Sequence, residues 1–237
     1  MPTQEFIKKE FSYGYSSGDI LSEPPDPVTQ QEEACIGGRY REVFMSLILP
    51  NLKPGNRILE LGPGRGSWTA AMLRHGPECE IHTVDFQDLG RWIDIPAQNG
   101  RLVHHQVEEG HTFTPIPKKA FDFFFAWGVL CHWGKADIRQ ILSGALACMK
   151  PDARAVVQYA AWDKLDVYGW ERGRVPEAFR ELDDKDMWWP RNTVADMAAL
   201  CRDAGWAVIE ADCGVVERDG VALLSTPAAG VNRAGPP

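Results

Sequence analysis

The sequence predicts an α/β fold in which helices cover both faces of a mostly parallel sheet, with an antiparallel strand near one edge. Three observations carry this. Between residues 57 and 160, short apolar runs alternate with helix-like stretches, the order expected of βαβ units. The run 121–127 shows no polar alternation after Asp122, as in a strand covered on both faces. Residues 206–212 and 221–224 read as closing strands joined by a polar hairpin turn containing Asp219-Gly220, and strands joined by so short a turn cannot both run parallel to the rest.

In chain order, residues 1–27 read as an irregular arm, in which Phe11 to Gly18 mixes aromatics with turn formers and Pro24-Pro25-Asp26-Pro27 is a stiff stop. Thr29 with Glu32 three residues on resembles a capping box, so a helix is expected over 30–49, interrupted by Gly37-Gly38. Strands are expected over 57–61, 80–85, 101–107, 121–127 and 153–160, and helices over 66–75, 87–98 (a weak pattern) and 137–149. In the last helix Ile138, Ile141, Leu142, Ala145 and Leu146 form one stripe. The alternation breaks over 161–191, a stretch too aromatic for a disordered linker and expected to pack on the domain as a lid or wall. Thr193 then caps a helix over 194–204. The Pro-, Gly- and Ala-rich residues 226–237 read as a frayed tail. The expected organisation is an arm and helix over 1–50, serving as lid or dimer contact, a domain over 51–225 carrying the aromatic insertion, and the tail.

Composition excludes several functions. In 237 residues, 25 Lys and Arg stand against 33 Asp and Glu, a net charge of −8, so a broad phosphate-binding face for nucleic acid is not expected. No apolar run is long enough for a membrane-spanning helix, and the polar residues 1–10 lack the apolar core of an export signal. The 6 cysteines are scattered with no CxxC pair, which reads as reduced thiols in a cytoplasmic protein.

The strongest functional signal is Ile58-Leu59-Glu60-Leu61-Gly62-Pro63-Gly64-Arg65-Gly66-Ser67. A strand runs into an acid, then into glycines at alternate positions, then into a helix. Gly62, Gly64 and Gly66 let the chain turn tightly and a ligand approach closely. Asp85, at the tip of the next strand, is placed to take both hydroxyls of a ribose. A nicotinamide-dinucleotide loop would carry its third glycine at position 67, which is Ser, and Glu60 would repel a pyrophosphate while suiting a ligand with a cationic end. No Gly-Lys-Ser/Thr follows, so a P-loop is excluded.

These residues resemble motif I of the class I S-adenosylmethionine-dependent methyltransferases, an acid followed by G-x-G-x-G. Thr83-Val84-Asp85 is similar to that family's ribose-binding acid, Glu109-Gly110 to the acidic pair beside the adenine amino group, and Trp127-Gly128-Val129 to the segment after the fourth strand. Met149-Lys150-Pro151-Asp152-Ala153 resembles the family's L-K-P-G-G turn, with both glycines replaced. The likeness spans about residues 50–225 and implies a doubly wound, Rossmann-like sheet of seven strands with the last inserted antiparallel. It further implies S-adenosylmethionine as cofactor, S-adenosylhomocysteine as product, and Glu60, Gly62, Gly64, Gly66, Asp85, Glu109 and Trp127 as cofactor-binding residues. The closest flavour is that of bacterial small-molecule and sugar O-methyltransferases, acting on a hydroxyl of a small polar acceptor such as a sugar, glycoside or hydroxy acid.

Methyl transfer to an alcohol needs alignment and a base, because the hydroxyl proton must leave as the bond forms. His132, in Leu130-Cys131-His132-Trp133, lies where the resemblance places a catalytic histidine, beyond the fourth strand. Asp163 could orient the imidazole or hold the substrate. Tyr13, Tyr15, Trp127, Trp162 and Trp170 are expected to wall the acceptor site, and Trp188-Trp189-Pro190 to serve packing. His104 and His105 are adjacent strand residues, point to opposite faces, and are not expected to share a metal. A divalent cation such as Mg is left open, with Asp88, Asp163 and Asp166 as available oxygen ligands. Alternatives are an N- or phenol O-methyltransferase, a non-catalytic nucleoside-binding module and a hydride-transferring enzyme. Base-amine methylation is disfavoured because no N/D-P-P-Y/F follows the fourth strand, where the chain reads Ala126-Trp127-Gly128-Val129.

Overall fold

The alternation expected over 57–160 is present in the computed structural model, which describes residues 4–108 and 112–227. Three helices come first: α1 (Gln4–Glu10), α2 (Pro27–Ile36) and α3 (Tyr40–Val43), the last running into a π-helical turn over Phe44–Ile48. The domain then follows as β1 (Arg57–Leu61), α4 (Ser67–His75), β2 (Glu80–Asp85), β3 (Leu102–Gln106), β4 (Phe121–Ala126), α5 (Lys135–Cys148) and β5 (Met149–Tyr159). After it come α6 (Trp162–Tyr168), α7 (Val194–Asp203), β6 (Ala207–Glu210) and β7 (Gly220–Ser225).

The strands form one 7-stranded sheet in the order β3-β2-β1-β4-β5-β7-β6. β7 is inserted antiparallel between β5 and β6, and the pairs among β1 to β5 are parallel. The order reverses between β1 and β4, and ligands of open parallel sheets bind outside the strand ends at such a reversal. Period-two alternation sorts the apolar residues. Leu59, Leu61 and Phe124 pack with α5 and α7 on one face, while Ile58, Phe123 and Phe125 pack with α2, α3 and α4 on the other. A central strand covered on both faces is why 121–127 shows no polar alternation.

The N-terminal helix expected over 30–49 starts earlier and breaks. Asp26, not Thr29, caps it: the carboxylate accepts from Val28 N at 2.8 Å and Thr29 N at 3.1 Å, with Pro27 at the first helical position. Thr29 instead donates to the Ser17 carbonyl at 2.8 Å, and Glu32 accepts from Tyr15 rather than closing a capping box. Gly37, at φ 67°, ends α2. The weak helix expected over 87–98 is two single turns, Leu89–Arg91 and Pro96–Gln98. Asp88 and Asp94 bond there to their own backbone, at Gly90 N (2.9 Å) and Ala97 N (3.2 Å), which competes with a continuous helix.

Asp152 stands at φ 63°, the left-handed geometry that the glycines of the L-K-P-G-G turn would adopt without strain. The insertion 161–191 packs as a small core of its own around Leu165, Trp170, Phe179, Met187 and Trp189. Asp219 is no solvent-facing turn residue but is fully buried. Of the expected tail, residues 228–237 lie outside the described residues. Among the described residues no helix is long and apolar enough to cross a membrane.

Candidate active site

The glycine loop leaves the end of β1 and turns into α4. Gly62, Gly64 and Gly66 all have positive φ, 68°, 54° and 84°. At Gly64 the requirement is absolute in space as well, since a Cβ would stand 2.4 Å from the Tyr15 carbonyl oxygen. That approach belongs to the N-terminal arm, which is tied over the loop. Arg65 N donates to Tyr15 O at 2.8 Å, the Arg65 side chain to Gly14 O (2.9 Å) and Tyr13 O (3.0 Å), and Ser17 N to Ser67 Oγ (3.1 Å).

The two acids play different parts. Asp85 lines an open cavity with Leu61, Gly62, Gly64, Phe86 and Gln87. Burial pushes its carboxyl up to about 6, against the pull of the Gln87, Phe86 and Gly64 backbone N–H groups. Glu60 is 2% exposed and does not line the cavity; its Oε2 accepts from Thr69 Oγ1 at 2.5 Å. Glu60 thus braces the glycine loop, joining β1 to α4. Burial pushes Glu60 up to about 8, with Thr69 pulling down and Asp85 adding upward. Among the described residues neither acid is paired with a basic side chain. Glu109 lies outside the described residues.

A second, larger cavity adjoins the first, and Phe11, Tyr15, Gly128 and His132 line both. At this junction Gly128 has φ 69°, and a Cβ there would meet only open space, so its backbone borders the cavities directly. Gly128 N donates to Gln158 Oε1 (2.8 Å), Gln158 Nε2 to Asp219 Oδ2 (2.6 Å), and Arg218 grips Asp219 in bidentate fashion at 2.6 and 2.9 Å. Asp219 is thus a buried charge that is fully paired.

His132 follows β4 on a single helical turn. Its Nδ1 lies 2.7 Å from the Trp188 carbonyl oxygen. A carbonyl only accepts, so the proton sits on Nδ1 and Nε2 carries the lone pair. Among the described residues Nε2 has no protein partner. The ring packs on Phe11 with centroids 4.4 Å apart and on Trp189 at 5.9 Å. Burial lowers its pKa to about 4, so the imidazole is neutral at neutral pH.

Asp163 does not orient this imidazole. It is exposed, and its carboxylate accepts from Val194 N at 3.2 Å, helping to cap α7. The orienting role falls to the Trp188 backbone carbonyl, which no sequence pattern marks. Trp162 and Trp170 are likewise displaced from the expected wall: they pack edge to face at 4.7 Å, and Trp162 Nε1 donates to Trp189 O. The aromatic wall comes from Trp188 and Trp189, expected to serve packing, together with Phe11, Tyr13, Tyr15 and Trp127. Behind them Tyr40 packs on Trp127 with centroids 5.6 Å apart, and Tyr15 donates its phenol to Glu32. Tyr40, Gln158, Arg174, Arg218 and Asp219 line this chamber without having been singled out as site residues in the sequence.

Asp88, Asp163 and Asp166 are not brought together. Asp166 binds Trp170 Nε1 (2.8 Å) and Arg180 (2.6 Å), and Asp88 caps Gly90. Among the described residues no group of three or more His, Cys, Asp or Glu could hold a metal ion. His104 and His105 do face opposite ways: His104 pairs with Thr83 and His105 with His82, each at 2.8 Å.

A family model for a methyltransferase domain matches residues 37–211, most of the chain and all of the loop, acid and histidine geometry above. The chain belongs to this family. It is a methyltransferase of the S-adenosylmethionine-dependent class. No curated protein matches it in sequence. Among solved structures, a 1,6-didemethyltoxoflavin N1-methyltransferase from Burkholderia thailandensis, bound to its substrate and S-adenosylhomocysteine, is 16% identical with a TM-score of 0.63, over 95% of this chain and 91% of that one. A Pyrococcus horikoshii protein is 11% identical with a TM-score of 0.63, over 92% and 99% of the two chains. A family 2 O-methyltransferase from Planctomyces limnophilus, in complex with apigenin, is 15% identical with a TM-score of 0.57, over 73% of this chain and 50% of that one. At such identities the likeness concerns the fold.

The methyltransferase's nucleoside cavity can be tested against its cofactor from its own atoms. Gln87 donates through Nε2 to Phe11 O at 2.6 Å, while its buried Oε1 has no partner. An unpaired buried acceptor near Asp85 suits a ligand with an exocyclic amino group. The glycine cradle and Asp85 complete the fit.

Proposed function

We propose that the enzyme transfers the methyl group of S-adenosylmethionine to a hydroxyl of a small polar acceptor, with His132 as general base. One observation carries this reading. The imidazole stands where the two cavities meet, its Nδ1 held by a backbone carbonyl and its Nε2 unpartnered.

When bound, the cofactor supplies an electrophilic methyl carbon on a sulfonium. The chain's own residues do the rest. Asp85 takes the ribose hydroxyls, and Gly62 and Gly64 allow the nucleoside to lie against the backbone. Phe11 and Tyr15, held over the loop through Arg65 and Gln87, cover the reacting centre and exclude water. The acceptor lies in the larger chamber, its hydroxyl toward His132 Nε2. With so low a proton affinity, the imidazole takes the hydroxyl proton only as the new O–C bond forms. Aligning nucleophile and methyl carbon across the junction supplies much of the acceleration.

The flat walls of Trp188 and Trp189 favour a second reading beside sugar and aliphatic acceptors, a phenol on a planar ring. A cytoplasmic setting accords with the 6 cysteines all being free thiols. The test is a survey of alcohols, phenols and amines with a methyl-labelled cofactor, for the wild type and His132→Ala. Hydroxyl acceptors should be methylated and lost in the variant. Methylation confined to amines, surviving His132→Ala, would refute the assignment.

A further inference from the structure

The larger chamber contains two guanidinium groups in contrasting states. Arg218 is neutralised by the buried Asp219 and stacks over the Trp189 ring at 4.7 Å. Arg174 lines the same chamber, yet among the described residues its guanidinium has no ion pair and no hydrogen bond. The chamber's carboxylates do not answer it. Asp219 is taken by Arg218, Glu32 accepts from Tyr15, and Glu10, on the arm, lies beyond ion-pair distance of any described cation.

Two further observations describe this corner. Arg174 holds φ 54°, a left-handed conformation that a long side chain seldom adopts. It is fixed there by Arg174 N donating to Glu171 O at 3.0 Å and Val175 N to Trp170 O at 3.0 Å, on the wall of the insertion's own core. Across the same chamber, Trp189 is 2% exposed and its indole N–H has no acceptor. Arg174 is thus an exposed guanidinium without a counter-ion at the edge of a chamber that also holds an unpaired indole N–H, and an acceptor-bearing anion answers the guanidinium.

We infer that the methyl acceptor carries a carboxylate, bound by Arg174 at the chamber wall, with its body against Trp188 and Trp189 and its hydroxyl toward His132. This rests on the O-methyltransferase reading and narrows its acceptor class to hydroxy acids. The carboxylate keeps its charge throughout; the bond formed is between the hydroxyl oxygen and the methyl carbon, the bond broken is that of the methyl to sulfur, and the proton goes to His132.

The experiment uses phenolic and aliphatic hydroxy acids, each paired with its primary amide, on the wild type, Arg174→Gln and Arg174→Lys. Binding of S-adenosylhomocysteine and thermal midpoints are measured for each protein. Acids should exceed their amides in kcat/KM by about 10- to 100-fold, a gap that Arg174→Gln closes and Arg174→Lys partly restores. Equal use of acid and amide, or an equal loss of both in Arg174→Gln at an unchanged midpoint, would overturn the inference. Weakened S-adenosylhomocysteine binding in Arg174→Gln would also overturn it, assigning the guanidinium to the cofactor. If no acceptor is methylated, the O-methyltransferase reading is what has failed. Calorimetry with benzoate on the S-adenosylhomocysteine-loaded protein then decides the anion site alone: binding that falls about 10-fold or more in Arg174→Gln upholds it, and binding absent or unchanged rejects it.

Discussion

The nucleoside cavity and the acceptor chamber share a wall but are built differently. The first takes Leu61, Gly62, Gly64 and residues 84–87 from the ends of β1 and β2, and the rest of its lining from the arm and the segment after β4. The second draws on α1, the arm, α2, the segment after β4, Gln158, the insertion, and Arg218 with Asp219. Where the lining comes from adjacent strand ends and their glycine turn, it is fixed by local backbone geometry. A site assembled from distant segments is fixed by which side chains happen to meet, and so can change its ligand without disturbing the sheet. Under the proposed function, cofactor and acceptor specificity are expected to be separable.

The sharpest way to break that separation lies at the junction. His132→Ala should lower kcat for hydroxyl acceptors about 10²- to 10⁴-fold while leaving S-adenosylhomocysteine affinity within a factor of about two. A comparable loss of cofactor affinity would mean that the two cavities are one energetic unit.

Next in size is a contrast between two tryptophans of the insertion. Trp188, facing the chamber, and Trp162, behind it, are both partly buried. Trp188→Ala should raise acceptor KM about 10-fold, as expected for the loss of one stacking face. Trp162→Ala should leave KM alone and lower stability by about 2 to 3 kcal/mol, through a cavity in the insertion's core. Steady-state kinetics and denaturant unfolding separate the two outcomes, and an exchange of phenotypes would restore the wall expected from sequence.

These tryptophans also mark how far the sequence could be read. The sheet, the glycine loop and Asp85 were legible because their signals are local: a strand, an acid, glycines at alternate positions and a second acid one strand later. His132 was legible by its place after β4. The partner of His132 was not, because a backbone carbonyl carries no residue identity. Which face of Trp162 or Trp188 meets the chamber depends on how 161–191 folds against the domain, and its irregular turns have no periodicity to follow. Asp219 read as a turn residue because Arg218 and Gln158, which pay for its burial, stand one and 61 positions away. The capping box at Thr29 failed since Asp26 and Pro27 offered a better start three residues earlier.

A smaller effect separates the acids by pH. Glu60 is raised to about 8 in the folded apo enzyme, so between its unfolded value and about 8 the folded state binds the extra proton and stability falls as pH rises. Asp85, raised to about 6, acts in the same direction at lower pH, while His132, lowered to about 4, acts in the opposite direction and loses stability as pH falls from its unfolded value. His82, His104 and His105, also lowered by burial, act like His132, so the Glu60 contribution dominates only from about pH 7 to 8, where it is worth about 1 kcal/mol. Chemical denaturation of the apo enzyme over that window should show the decline, and Glu60→Gln should flatten it. A flat wild-type profile would mean that Glu60 is already ionised beneath the loop.

The central claim, that Asp85 and the glycine loop hold the adenosyl cofactor independently of the acceptor chamber, is tested most directly by calorimetric titration of S-adenosylhomocysteine into the wild type and Asp85→Ala. The account expects micromolar binding to the wild type and a loss of at least about 10-fold in the variant, with two hydrogen bonds to ribose removed. No binding to the wild type, or equal binding to both proteins, would contradict it.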